Sequence, residues 1–259
     1  MAAPHGPTDH ALARLLAEEA GLALLAERAR AGHDDPKTLR DAGDRLSHEL
    51  LMARLAAERP GDAVLSEEGA DDPRRLAADR VWIIDPLDGT REYAEAGRAD
   101  WAVHVALWER GTLIAGAVGL PAQGVTLGAD APPDPAPPLA GRAPRLVASR
   151  TRAPKVVHDV AAALGGEILP MGSAGAKVAA VVTGQADIYV HAGGQYEWDS
   201  AAPVAVALAA GLHASRLDGS PLEYNRRDPW LPDLCVCVPE LADEVLAVLR
   251  AAARDTAPI

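Results

Sequence analysis

The chain has 259 residues, 49% apolar, 24% charged and 3% aromatic, with no Phe and two Cys. This composition excludes a small disulfide scaffold, a collagen-like repeat and a wholly disordered chain, and the length suits one large domain or two closely packed ones around an aliphatic core. The 25 basic against 37 acidic side chains give a formal charge of −12 without a basic cluster, so neither nucleic acid nor an anionic membrane is an expected partner.

Residues Met1 to His10 lack the basic start and apolar stretch of a signal peptide, and no run of about 18 apolar residues follows, so the expected location is cytoplasmic. From Thr8 to Arg30, Leu12, Leu15, Leu16, Leu22 and Leu25 recur near helical spacing, opposite Glu18, Glu19, Glu27 and Arg28. A second helix is expected from about Asp41 to Glu58, with Leu46, Leu50, Leu51 and Leu55 on one face and Pro60-Gly61 as its stop. Strands are expected at Ala63–Leu65, Val81–Asp85, Ala102–Leu107 and Leu113–Val118.

Residues 129–144 contain too much Pro for a helix or an inner strand and read as a linker or exposed loop. This divides the chain into 1–128 and 145–259. Strands are expected beyond it at Arg145–Ala148, Glu167–Leu169, Asp187–Val190 and Leu234–Val238. Helices should alternate with them near Ala153–Leu164, Ala174–Thr183, Ser200–Ala210 and Pro239–Ala252, giving a sheet covered by helices in an α/β (α+β) fold. Cys235 and Cys237 share one face of the last strand and read as reduced core residues.

The chemistry concentrates in Val81-Trp-Ile-Ile-Asp-Pro-Leu-Asp-Gly-Thr90, where an apolar strand delivers Asp85 and Asp88 to a tight turn. Pro86 fixes its own backbone angle, Gly89 permits a positive one, and the Leu87 carbonyl can join the flanking carboxylates. Hard oxygen ligands on a loop suit Mg²⁺ shared with a substrate phosphate, and the amides of Gly89 and Thr90 can cradle that phosphate. Upstream, Glu67 or Glu68 follows another short strand, where one can join the same metal. Downstream, Asp199 stands where it can cap a helix, with Ser200 and Ala201 in the first turn. Each motif alone also fits ordinary turn or cap chemistry.

Together, Ser-Glu-Glu68, Trp82-Ile-Ile-Asp-Pro-Leu-Asp-Gly-Thr90, Gly172-Ser-Ala-Gly-Ala-Lys177 and Glu197-Trp-Asp-Ser-Ala-Ala-Pro203 resemble the lithium-sensitive, magnesium-dependent inositol monophosphatase superfamily. Lys177 and the Gly193-Gly194-Gln-Tyr-Glu-Trp-Asp199 approach look most like its bacterial CysQ-type branch, the 3'-phosphoadenosine 5'-phosphate phosphatases. The resemblance implies a layered αβαβα sandwich of the sugar-phosphatase type. It also implies two or three Mg²⁺ ions held by Glu67, Asp85, the Leu87 carbonyl, Asp88 and Asp199, and inhibition by lithium. Thr90, oriented by Asp44, would activate the attacking water together with Glu67. Asp88, Gly89, Thr90, Gly172, Ser173, Lys177, Gly193 and Gly194 would contact substrate. A homodimer is a further expectation from the superfamily.

The expected reaction is hydrolysis of 3'-phosphoadenosine 5'-phosphate to AMP and phosphate by direct attack of water, with inositol 1-phosphate and fructose 1,6-bisphosphate as alternative substrates. A non-catalytic metal or nucleotide sensor is the reading from another class. An aspartyl-phosphate mechanism of the haloacid-dehalogenase type is disfavoured, because that signature places its acid two residues after the nucleophile, where Leu87 stands here. Asp41 occupies a position where the superfamily often has Thr, and is expected to cap the second helix rather than bind metal. Asp34 and Asp35 belong to a stretch that can form a mobile loop offering a ligand to a weak third metal. Trp101, Trp108, Trp198, Tyr196 and Tyr224 are expected to serve packing, and His104 and His191 to be satisfied structural residues.

Overall fold

The computed structural model describes residues 6–134, 137, 139–151 and 153–255. The start of the segment read for a signal peptide, residues 1–5, and part of the Pro-rich stretch lie outside the described residues. Helix α1, Asp9–Ala31, is capped by the Thr8 hydroxyl, which accepts from the Ala11 amide at 3.2 Å. It buries Leu12, Leu16 and Leu24, while Leu22 is 68% exposed and does not join the apolar face expected for it.

Helix α2, Pro36–Glu58, begins more than a turn earlier than expected. Asp35 is its N-cap, accepting from the Thr38 amide at 3.0 Å and its hydroxyl at 2.7 Å, and Pro36 opens the first turn. This corrects two readings. The Asp34–Thr38 stretch is largely helix start rather than mobile loop, and Asp41 lies within α2, exposed and paired with Lys37 at 2.6 Å, so it caps nothing. Pro36 misled the reading because proline both ends helices and opens them.

Five strands form the first sheet, in order β1 (Ala63–Ser66), β2 (Arg80–Asp88), β3 (Ala102–Glu109), β4 (Thr112–Leu120) and β5 (Val125–Gly128). The pair β1–β2 is parallel and the others are antiparallel. A short helix α3, Thr90–Ala94, leaves the end of β2. The second sheet has order β7 (Glu167–Met171), β6 (Arg145–Ser149), β8 (Ile188–Tyr196), β10 (Trp230–Cys237) and β9 (His213–Ser215). Helices α4 (Lys155–Leu164), α5 (Ala174–Val182), α6 (Glu197–Ala209) and α7 (Ala242–Asp255) complete the described chain.

Strand alternation sorts the core into three layers. Trp82, Ile84, Val103 and Val105 face α1 and α2, whereas Val81, Ile83, Ala102 and Ala106 face inward, where α5 and α6 meet both sheets. On the far side, Leu146, Ile188, Cys235 and Cys237 pack against α4 and α7, with both cysteines free and buried. The result is an αβαβα sandwich. Gly116 permits the close approach of α6 to β4: a methyl there would lie 2.5 Å from the Ala205 Cβ. The two sheets fall on either side of the Pro-rich stretch, but α6 from the second half packs on β2, β3 and β4 of the first.

Candidate active site

The end of β2 supplies the first two carboxylates through a β-bulge. Asp85 pairs with His104 across the ladder and Asp88 with Ala102, so three residue steps on β2 match two on β3. In an even strand, residues three apart face opposite sides; the bulge turns Asp88 to the same inner face as Asp85. The strand thus continues to Asp88 where a turn was expected after Asp85. The chain then turns at Gly89, with φ of 83°, and enters α3 at Thr90. The bulge is pinned by the Leu87 amide donating to Asp85 Oδ1 at 3.0 Å, and by the Ser47 hydroxyl donating to the Pro86 carbonyl at 2.6 Å.

Asp199 arrives from the other side, on α6. The helix starts at Glu197, so Asp199 is its third residue rather than its N-cap, and Oδ2 accepts from the Tyr196 amide at 2.7 Å. Carboxylate oxygens of Asp85, Asp88 and Asp199 lie within 4.8 Å of one another. Burial and the charges of Glu67, Asp88 and Asp199 push Asp85 well above the usual carboxylate range. Asp199 rises to about 6, first through burial and then through repulsion by Asp88. Glu67 rises to about 7 by burial of its carboxyl and repulsion by Asp199, although the residue as a whole lies at the exposed rim.

Asp88 behaves differently. Burial alone would raise it, but His104, the Ser173 hydroxyl and the Gly175 amide hold it down at about 2. Its Oδ2 accepts from Ser173 Oγ at 2.5 Å and from the Gly175 amide at 2.6 Å, with His104 Nε2 3.3 Å away. Asp85 Oδ2, by contrast, is buried without any hydrogen-bond partner. A buried carboxylate oxygen without a donor, inside a cluster of like charges, is stable only with a cation or a proton. The all-oxygen donor set fits a hard divalent ion.

Around this cluster, Thr90 Oγ1 donates to the Leu87 carbonyl at 3.2 Å. Burial and the charges of Glu68 and Asp41 raise Asp44 to about 7, while the Thr90 hydroxyl acts in the opposite sense. Ser173 caps α5, taking φ of 50° and accepting from the Ala176 amide at 2.9 Å. The Gly172 amide donates to Asp100 Oδ2 at 2.6 Å, and Glu92 leaves no room for a side chain on Gly172. One turn into α5, Lys177 is buried with its ammonium 5.3 Å from the Tyr189 ring centre. Burial lowers its pKa, against the pull of Asp88, Glu92 and Asp199. It lines a cavity of about 340 Å³ together with Ser149, Tyr189, His191, Gly193 and Gly194. Gly193 and Gly194 both have positive φ, and Trp230 occupies the space a side chain on Gly194 would need.

His191 Nε2 meets the Gly194 carbonyl at 2.8 Å, as expected of a structural residue. His104 does more than expected, because it touches Asp88. Asp100 was not singled out in the sequence; its partner Gly172 is 72 residues away, and only the fold joins them. Trp101 and Tyr224 are buried, as packing residues should be, whereas Tyr196 is 41% exposed at the rim, stacked on Trp198 with ring centres 4.7 Å apart. Asp34 lies exposed in the bend before α2.

A sequence profile of the inositol monophosphatase family matches residues 8–131 and 139–254. The 3'-phosphoadenosine 5'-phosphate phosphatase of Mycobacterium leprae is 53% identical over 94% of each chain. The 3'(2'),5'-bisphosphate nucleotidase CysQ of Escherichia coli is 32% identical over 73% of this chain and 81% of its own. Among solved structures, CysQ from Bacteroides thetaiotaomicron matches with a TM-score of 0.71 at 28% identity, covering 88% of this chain and 96% of its own. Inositol monophosphatase II of Staphylococcus aureus shares the fold with a TM-score of 0.78 at 20% identity, covering 91% and 92%. The chain belongs to the inositol monophosphatase family, whose members are metal-dependent phosphatases of small phosphate monoesters.

Proposed function

We propose that the protein hydrolyses 3'-phosphoadenosine 5'-phosphate to AMP and phosphate, using two or three Mg²⁺ ions. The observation that carries this reading is the buried cluster of Asp85, Asp88 and Asp199, in a chain 53% identical to a relative named for that activity. Glu67, Asp85, the Leu87 carbonyl, Asp88 and Asp199 hold the ions. When bound, the ions screen the phosphate charge, acidify water and stabilise the leaving oxygen.

The chain's own groups do the rest. Glu67 and the Asp44–Thr90 pair take the proton from the attacking water, with Asp44 raised to about 7 by burial and by the charges of Glu68 and Asp41. Gly89 and Thr90 steady the transferring phosphate. Lys177 offers charge to the second phosphate in the adjoining cavity, which is bordered by Gly193 and Gly194, and Gly172 and Ser173 contact the substrate between this cavity and the metal cluster. In this reading residues 1–128 supply most ligands, residues 145–259 add Asp199 and the substrate cavity, and residues 129–144 connect them. Lithium inhibits by competing for a cation position, and the protein works in the cytoplasm, as a homodimer.

The test is phosphate release in Mg²⁺, with and without lithium, from 3'-phosphoadenosine 5'-phosphate, inositol 1-phosphate and fructose 1,6-bisphosphate. A kcat/KM at least tenfold higher for the nucleotide supports the proposal. Comparable rates on all three mean a broad phosphatase, and no release from any returns the sensor reading. Among the described residues no helix is long and apolar enough to cross a membrane.

A further inference from the structure

His104 lies in the middle of β3, with its side chain fully buried between the first sheet and the helices of the inner layer. Its two ring nitrogens face two different metal-site elements. Nδ1 is 3.0 Å from the carbonyl oxygen of Trp198, the residue before Asp199, and Nε2 is 3.3 Å from Asp88 Oδ2. The Nδ1 contact is a hydrogen bond, whereas Nε2 is buried against Asp88 Oδ2 at ion-pair distance without completing one. The ring has a built seat: a methyl on Gly175 would fall 2.0 Å from Nε2, so α5 can pass at this point only as glycine. That same Gly175 gives its amide to Asp88 Oδ2.

We infer that His104 is a positioning residue for the metal centre: it holds Oδ2 of Asp88 so that Oδ1 alone is offered to a cation, and it links Asp88 to the start of α6, which carries Asp199. The inference rests on the metal site proposed above. Ser173, Gly175 and His104 all converge on Oδ2 of Asp88. With Oδ2 so engaged, the carboxylate cannot rotate to grip an ion with both oxygens. A small cation that demands near-octahedral geometry is thereby met by a single oxygen of fixed direction. The Asp88 and Asp199 ligands come from residues 111 positions apart in the chain, and His104 is one ring in contact with both elements.

The two nitrogens can be tested separately. An Asn side chain reaches the position of Nδ1 and keeps the Trp198 contact, whereas a Gln side chain reaches that of Nε2 and keeps the Asp88 contact. Mn²⁺ binding to metal-stripped wild type, His104→Asn and His104→Gln would be measured by titration calorimetry, with Tm recorded for each without metal. Outer-shell partners of metal ligands are typically worth about 10–100-fold in affinity. The expected result is a loss of that size in His104→Asn, with most of it recovered in His104→Gln. Equal Mn²⁺ affinity in His104→Asn and wild type would overturn the inference, as would equal losses in both variants that follow their losses in Tm. Should His104→Asn not fold, Gly175→Ala, which displaces the ring from Oδ2, carries the same expectation and the same refutation. Absence of Mn²⁺ binding by the wild type would instead refute the metal site itself, and this inference with it.

Discussion

Asp187 and Asp85 are both shielded from solvent, each 1% exposed, but Asp187 lies beneath partly exposed arginines and Asp85 lies deep inside, and the chain treats them in opposite ways. Asp187, just before β8, receives two hydrogen bonds at 2.7 Å from Arg142 and the backbone amide of Arg145 at 2.7 Å, with the Arg145 guanidinium 3.3 Å away. Burial would raise its pKa, but the two arginines hold it at about 2. Asp85 is surrounded by Glu67, Asp88 and Asp199 and is driven well above its ordinary range, with one oxygen left without a donor. The chain therefore supplies cations of its own where a buried carboxylate holds the fold together. At the end of β2 it leaves a charge deficit that something from outside must fill, which is how a metal site differs from a structural ion pair.

The sharpest way to break this comparison is to change the charge at the unfilled cluster. Asp88→Asn should fold normally and lose roughly 10³-fold or more in kcat/KM, because the ions contribute several kcal/mol of transition-state stabilisation; near-normal turnover would remove Asp88 from the metal site. Asp85→Asn sharpens it from the stability side. In metal-free protein this variant relieves repulsion and should melt no lower than wild type. Wild type should gain about 2.7 kcal/mol from Mg²⁺ at a hundred times its dissociation constant, and the variant should gain little. Thermal melts with and without Mg²⁺ decide it, and a variant that melts lower without metal would contradict the account.

Lys177→Ala should weaken a nucleotide bisphosphate by about 10–100-fold, the scale of a charged hydrogen bond, and a monophosphate much less. Equal losses on both substrates would take Lys177 out of the cavity's recognition role. On the structural side, Asp187→Asn should cost about 1–3 kcal/mol, towards the lower end because its arginines are 38% and 30% exposed, while leaving kcat/KM of the folded protein unchanged. The effect depends on pH. The folded pKa of Asp187 lies below its ordinary 3.8, so its contribution is complete above about pH 4 and lost as pH falls towards 2. The difference in Tm between wild type and Asp187→Asn should shrink over that window; a constant difference would mean that the ion pairs are not its source.

Most strands and helices were legible because their signals are local: alternation in β2 and β3, and the apolar spacing of α2. The short β5 and β9, four and three residues long, gave too few periods to register. The helix starts at Pro36 and Glu197 lie upstream of the expected ones, because Pro36 reads equally as a stop and Asp199, which accepts from the Tyr196 amide three residues back, reads equally as a cap. At the site, motif spacing pointed to Asp85, Asp88 and Asp199, but the bulge that puts the first two on one face depends on pairing with β3. The role of His104 was missed for the same reason. Both of its partners come from other elements, and one of them, Trp198, is 94 residues away.

Divalent cations complete the cluster of Asp85, Asp88 and Asp199, in which Asp85 Oδ2 has no donor, during hydrolysis of the nucleotide. The most direct measurement is anomalous diffraction from crystals of active protein grown with Mn²⁺, AMP and phosphate. The account predicts metal density bracketed by Asp85, Asp88 and Asp199, with only one oxygen of Asp88 ligating and the phosphate against the same ions. Crystals of active protein with no metal among these three carboxylates, or with metal bound only elsewhere, would contradict it.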